Sequence, residues 1–286
     1  MPDKPTIAAV VFDLDDTLYP ERAYAFSGFD AVAATFEDLL GDPEQTAADM
    51  RRIFEHGDRR RVFNTLLAER GVRDDGPLDR SRESRGGATR SSPIANDDGP
   101  SDRSRGSCGG ATRSSPLAKG GKRGVVGSPG TEEALVRRMI ETYRSHRPNI
   151  SLAPDADAAL TRLREKGHPL GLITDGPAVM QAAKIQALAL AGRVDEIILT
   201  AELGPGFGKP HPRAFELMAE RLKAAPSQCV YVADNAVKDF VAPNALGWLT
   251  VQITRPDGVY RDIDPPDGGQ PAHVIETLDS LDDLFA

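Results

Sequence analysis

Cysteine is scarce in this chain: its 286 residues hold two, Cys108 and Cys229. They lie far apart and match no zinc or redox spacing, so no disulfide is expected. Cys229 stands in the apolar stretch Cys229-Val230-Tyr231-Val232 and reads as a small core residue. Long apolar runs are missing as well. None approaches the ~18 residues of a membrane span. The N-terminal Met1-Pro2-Asp3-Lys4-Pro5 carries no signal-peptide pattern. A surplus of basic charge is also lacking. The formal net charge is −8, which argues against nucleic acid or an anionic membrane as a partner. Together these absences point to a cytoplasmic chain, long enough for one large domain or two modest ones.

Aromatic residues are absent from one stretch altogether. Residues 76–127 contain no Phe, Trp, Tyr or Met. Gly76-Pro77-Leu78-Asp79-Arg80-Ser81-Arg82 recurs as Gly99-Pro100-Ser101-Asp102-Arg103-Ser104-Arg105, a period of 23. That period suits solenoid repeats, but two copies so poor in apolar residues cannot bury a core, and the stretch is expected to be disordered. It carries ten basic against five acidic side chains, hence +5, leaving −13 on the rest.

What is present falls into two kinds of pattern. Residues 21–70 alternate apolar and polar positions at helical spacing. Phe26, Phe29, Val32, Ala33 and Phe36 share one face, Gly41-Asp42-Pro43 breaks the pattern, and Gly71 ends it. The helical pattern returns at Thr131-Glu132-Glu133, where Thr131 is a candidate N-cap. From Leu152 the rhythm becomes βα. Apolar runs at 170–173, 196–199, 230–233, 249–253 and 274–275 alternate with helical stretches at 154–166, 180–190, 212–224, 238–246 and 278–285. Alternation of this kind predicts an α/β fold with a parallel, doubly wound sheet.

The chain is organised around Val10-Val11-Phe12-Asp13-Leu14-Asp15-Asp16-Thr17. An apolar run from Ile7 to Phe12 reads as a buried strand. It ends at three carboxylates within four residues. Open α/β sheets bind ligands beyond the carboxyl ends of their strands, so Asp13 and Asp15 are expected in a crevice there. Carboxylates this close repel unless a cation or proton lies between them. A hard divalent ion shared with substrate phosphate is the usual Mg²⁺ arrangement. Three further devices follow in order. Leu170-Gly171-Leu172-Ile173-Thr174 is an apolar strand ending in a hydroxyl that, with backbone N–H groups, can hold a phosphate oxygen. Gly208-Lys209-Pro210-His211-Pro212 places a lysine before a helix that Pro212 starts. Val230-Tyr231-Val232-Ala233-Asp234 repeats the opening device, with Asp239 five residues on.

This ordered set, Asp-x-Asp-x-Thr, Thr, Lys-Pro and Asp-x4-Asp, resembles the four motifs of the haloacid dehalogenase-like hydrolase superfamily. One departure is Ala233, where that superfamily commonly has Gly. The resemblance implies a Rossmann-like core over 1–19 and 152–286. It also implies a helical cap over 20–151, interrupted by the 76–127 repeat. It further implies Mg²⁺-dependent hydrolysis of a small phosphate ester, of the sugar phosphate or nucleotide class, through an aspartyl-phosphate. By that resemblance Asp13 is the nucleophile and Asp15 the acid and base. Thr174 and Lys209 hold the phosphoryl oxygens. The Mg²⁺ ligands are Asp13, the backbone carbonyl of Asp15, and Asp234, with Asp239 in support. A phosphomutase shares these motifs, and a non-catalytic phosphate-binding homologue is the remaining alternative.

Overall fold

The structure is a computed structural model describing residues 6–71, 132–256, 258, 260, 261 and 263–284. Cys108, Thr131 and the repeat at 76–127 lie outside these residues.

The run Ala9–Phe12 forms strand β1, buried along its whole length. The later runs form β2 (Leu170–Thr174), β3 (Glu196–Leu199), β4 (Cys229–Ala233), β5 (Leu249–Ile253) and β6 (His273–Ile275). They make one sheet in the order β3-β2-β1-β4-β5-β6, and every pair in it is parallel. Strand order reverses between β1 and β4, which is the point where such sheets open a crevice at their carboxyl ends.

Side chains alternate across the sheet with period two. Val10 and Phe12 face Leu160 and Leu163 of α6 (Pro154–Glu165) and Ile185 of α7 (Ala178–Ala187). Ala9 and Val11 face Phe215 and Met218 of α8 (Arg213–Leu222) and Ala242 of α9 (Val241–Leu246). Gly171 allows α8 to approach closely. A Cβ there would lie 2.6 Å from Met218 Sδ and 3.1 Å from Val11 Cγ2.

Between β1 and β2 the chain inserts α1 (Glu21–Thr35), α2 (Glu37–Leu40), α3 (Pro43–His56), α4 (Val62–Arg70) and α5 (Glu132–Ser145). These helices bury their own apolar cluster, which includes Phe29, Met50, Leu66, Leu135 and Met139. Asp42 caps α3 by accepting the Gln45 N–H at 2.8 Å, with Pro43 in the first turn. Tyr143 packs against both this cluster and the sheet's. Among the described residues, no helix is long and apolar enough to cross a membrane.

Three helices differ from the sequence pattern, and the one expected over 180–190 ends at Ala187, where Ala189 turns left-handed at φ +52°. The one expected over 238–246 starts at Val241, because Asn235–Asp239 is held as a turn. There the Asn235 side chain accepts the Val237 N–H and the Asp239 carboxylate accepts the Asn235 N–H. The last helix forms as a 3₁₀ segment, Leu278–Asp283, started by Thr277 capping Asp279 N.

Candidate active site

Four loops leaving the carboxyl ends of the strands converge at the β1/β4 boundary. The Asp13 N–H still joins the sheet, donating to Val232 O at 2.9 Å. The chain then turns sharply, with Asp16 at φ +50°. Asp16 accepts the Glu21 N–H at 2.8 Å and so covers an open donor at the start of α1. That assigns the capping task to Asp16 and leaves the Asp13 and Asp15 side chains to the crevice. The crevice is a cavity of about 140 Å³ whose lining includes six carboxylates, those of Asp13, Asp15, Asp16, Glu21, Asp175 and Asp234, together with Lys238.

Lys209 is buried at the centre of the charge cluster. Its ammonium lies 2.6 Å from Asp13 Oδ1, 2.7 Å from Asp239 Oδ1 and 3.0 Å from the Tyr231 hydroxyl. Burial opposes its charge, but Asp13 and Asp239 raise its pKa well above the ordinary lysine value. Carboxylate oxygens of Asp13, Asp234 and Asp239 all lie within 4.8 Å of one another, and all three residues are buried. Asp13 is pushed up to about 6, first by burial and then by Asp239, against the pull of Lys209. Asp234 is pushed up to about 9, by burial and by the charges of Asp13 and Asp239. A set of crowded hard oxygen donors, with protons held on them by mutual repulsion, fits a small divalent cation such as Mg²⁺.

Asp15 stands apart from that triad. Lys184 Nζ donates to both its oxygens, at 2.7 and 2.9 Å, Gln181 Nε2 donates at 3.2 Å, and the Tyr19 hydroxyl donates as well. Burial works against the Asp15 charge, but Lys184 and these donors hold its pKa below the ordinary carboxylate value. Thr174 ends β2, buried, and its hydroxyl has no hydrogen-bond partner among the described residues. Asp175 accepts from the Thr200 hydroxyl and from Lys209 N, and pairs with Lys238 at 3.4 Å.

The structure therefore brings Asp13, Lys209, Asp234 and Asp239 into one charge cluster, with Asp15 on the same cavity and Thr174 at the end of the neighbouring strand. Sequence reasoning passed over Lys184, Gln181 and Tyr231 as site residues. The only signal for Tyr231 was its place in the strand leading to Asp234. A second cavity, of about 280 Å³, adjoins the first through Asp16 and Glu21 and reaches Arg22, Phe26, Phe54 and Arg59 of the helical insertion.

The sheet order, the helical insertion after the first strand and the acidic crevice at the switch point define a doubly wound α/β class with a carboxylate-lined site. Residues 118–247 match the haloacid dehalogenase-like hydrolase family. The chain is 38% identical over 135 residues to glyceraldehyde 3-phosphate phosphatase of Methanopyrus kandleri, covering 47% of this chain and 56% of that one. It is 32% identical over 165 residues to ribulose-1,5-bisphosphate 5-phosphatase of Halopiger xanaduensis, covering 56% of this chain and 67% of that one. The chain thus spans between half and two thirds of the length of these curated relatives. In fold it is similar to a magnesium-bound HAD-hydrolase of Bacillus subtilis, with a TM-score of 0.56 at 15% identity over 98% of this chain and 99% of that one. The chain belongs to the haloacid dehalogenase-like hydrolase family.

Proposed function

We propose that this chain hydrolyses small phosphate monoesters with Mg²⁺, through a phosphoryl group carried on Asp13. The observation that carries the reading is the Asp13 carboxylate, which lines an acidic cavity at the switch point while paired with a buried lysine. Asp13, Asp234 and the backbone carbonyl of Asp15 would hold Mg²⁺, with Asp239 supporting the site through Lys209 and the Asn235 N–H. The bound ion supplies the positive charge that lets a carboxylate meet a phosphate dianion. In the first step an Asp13 oxygen bonds to phosphorus and the ester P–O bond breaks. Asp15, which first takes up a proton from solvent against the pull of Lys184, delivers it to the departing alkoxide. In the second step Asp15 takes a proton from water, whose oxygen bonds to phosphorus while the Asp13 O–P bond breaks, releasing phosphate. Lys209 and the unpartnered Thr174 hydroxyl hold the phosphoryl oxygens as charge shifts onto them.

We further propose the division suggested by the motifs, with a core over 1–19 and 152–286 and a helical cap over 20–151. The cap would exclude water and select the substrate. A cavity of about 280 Å³ beside the acidic one, reaching into the inserted helices, suits the non-reacting end of a metabolite-sized ester. The names of the relatives, both phosphatases of small phosphorylated compounds, support this size class.

The test is hydrolysis of p-nitrophenyl phosphate with millimolar Mg²⁺. Asp13→Asn is expected to abolish it, since an amide is a poor nucleophile, and Asp15→Asn to lose at least ~10²-fold, the usual share of general acid–base catalysis. Near-normal turnover by Asp13→Asn, or activity that persists in excess EDTA, would sink the reading.

A further inference from the structure

Asp15 has work in both steps of the proposed reaction, and its side chain has two single bonds about which to rotate. Four hydrogen bonds from three side chains fix it. Two come from Lys184, at 2.7 and 2.9 Å, one from Gln181 at 3.2 Å and one from Tyr19. Gln181 and Lys184 are three residues apart on α7, so they share a face of one rigid helix. Lys184 is only 3% exposed and lies 4.5 Å from the centre of the Tyr24 ring. Burying an ammonium is costly unless it is paired. Asp15 is its ion-pair partner among the described residues. Gln181 also donates to the Asp175 carbonyl, which ties the arrangement to the loop after β2.

From this geometry we infer that Lys184, assisted by Gln181, is a positioning residue that holds the Asp15 carboxylate in its catalytic place. The inference rests on the proposed phosphatase reading. It goes beyond that reading by assigning a task to α7, a helix that none of the sequence motifs touches. A lysine that served only packing would lower stability and substrate turnover without regard to Asp15. A lysine that acts through Asp15 loses its effect once Asp15 is gone.

The experiment is a double-mutant cycle in kcat, with the unmutated chain, Lys184→Met, Asp15→Asn and the double variant. Two substrates are used, p-nitrophenyl phosphate and glycerol phosphate. The alkoxide of the second needs a proton as it leaves, and nitrophenolate does not. Lys184→Met is expected to lower kcat for glycerol phosphate at least ~10-fold, part of the usual acid–base contribution. KM should stay nearly unchanged and the loss on the aryl ester should be smaller. In the Asp15→Asn background the same change is expected to have no further effect. Gln181→Ala, which leaves the ion pair in place, is expected to show a smaller loss with the same dependence on Asp15, and it serves if Lys184→Met does not fold. Melting temperatures of the metal-free variants report the pair without turnover, with Lys184→Met lower than the double variant. Losses that add in the cycle overturn the inference while leaving the phosphatase reading intact, whereas equal losses on the two esters that vanish in the Asp15→Asn background place the effect in the second step, which both esters share. No hydrolysis by the unmutated chain overturns both.

Discussion

Tyr231 shows what a single hydroxyl does in a crowded charge cluster. It accepts from Lys209 at 3.0 Å and donates to Asp239 at 3.4 Å, with every participant buried. Tyr231→Phe removes both bonds and leaves the ring in place against Phe215. The expected cost is about 1–2 kcal/mol, the range for a lost buried hydrogen bond that strands a partner, read as a lower urea midpoint. Asp239→Ala goes further. It strips Lys209 of one of two carboxylates and orphans the Asn235 N–H, and breaking a buried pair in this way costs about 3–5 kcal/mol. An Asp239→Ala protein as stable as the parent would show that Lys209 needs only Asp13. These residues differ in how far the sequence disclosed them. Asp13 and Asp234 stand out because each ends an apolar strand. Lys209 is marked by the loop Gly-Lys-Pro before a proline-started helix, although its complete burial is not. Lys184 is hidden. It lies between Ala183 and Ile185 in an ordinary amphipathic pattern, where a lysine reads as a solvated surface charge. Only the packing of α7 beside Tyr24 and Asp15 removes it from water.

At the level of elements, the strands were the legible part because most of them are apolar runs bounded by turn residues, although β5 carries Thr250 and Gln252 and β6 begins at His273. β1, β2 and β4 are buried along their whole length, which is why their composition is mostly apolar. The turn at Asn235–Asp239 was not legible as a turn, since its helical-looking periodicity is overridden by side chains that bind its own backbone. Close packing of helix on sheet is likewise invisible until the layers are assembled. Gly171 looks like a weak point in β2, yet it is where α8 comes nearest. Gly171→Val would drive a branched side chain toward Met218 and Val11, and overpacking of this kind costs about 1–3 kcal/mol. The same strand ends in Thr174, so the displacement is also expected to lower the proposed phosphatase turnover. A Gly171→Val protein with unchanged melting temperature would mean that Met218 moves aside freely.

For the whole molecule, the acidic cluster sets a pH dependence. Unfolded, Asp13 and Asp234 ionise near 4. Folded, they are raised to about 6 and about 9. The folded state therefore binds protons more tightly, and this contribution to stability is full below about 4 and is lost as pH rises through about 6 and then about 9. The proposed divalent cation would compete with those protons and bind the folded state selectively. The rise in melting temperature on adding Mg²⁺ to metal-free protein is thus expected to grow between pH 5 and pH 8. An equal rise at both values would contradict Asp13 and Asp234 as the cation's ligands. A different consequence follows from the place of β1 in the sheet. It is made first, yet both its neighbours are made late: Val10 pairs with Leu170 on one side and Val230 on the other. At a synthesis rate of roughly 5–20 residues per second, β1 waits on the order of 10–30 seconds for its first partner. Throughout that interval the nascent chain carries Ala9-Val10-Val11-Phe12 without either of its sheet neighbours, so early translation, before β2 has left the ribosome, is when this strand can pair with other chains.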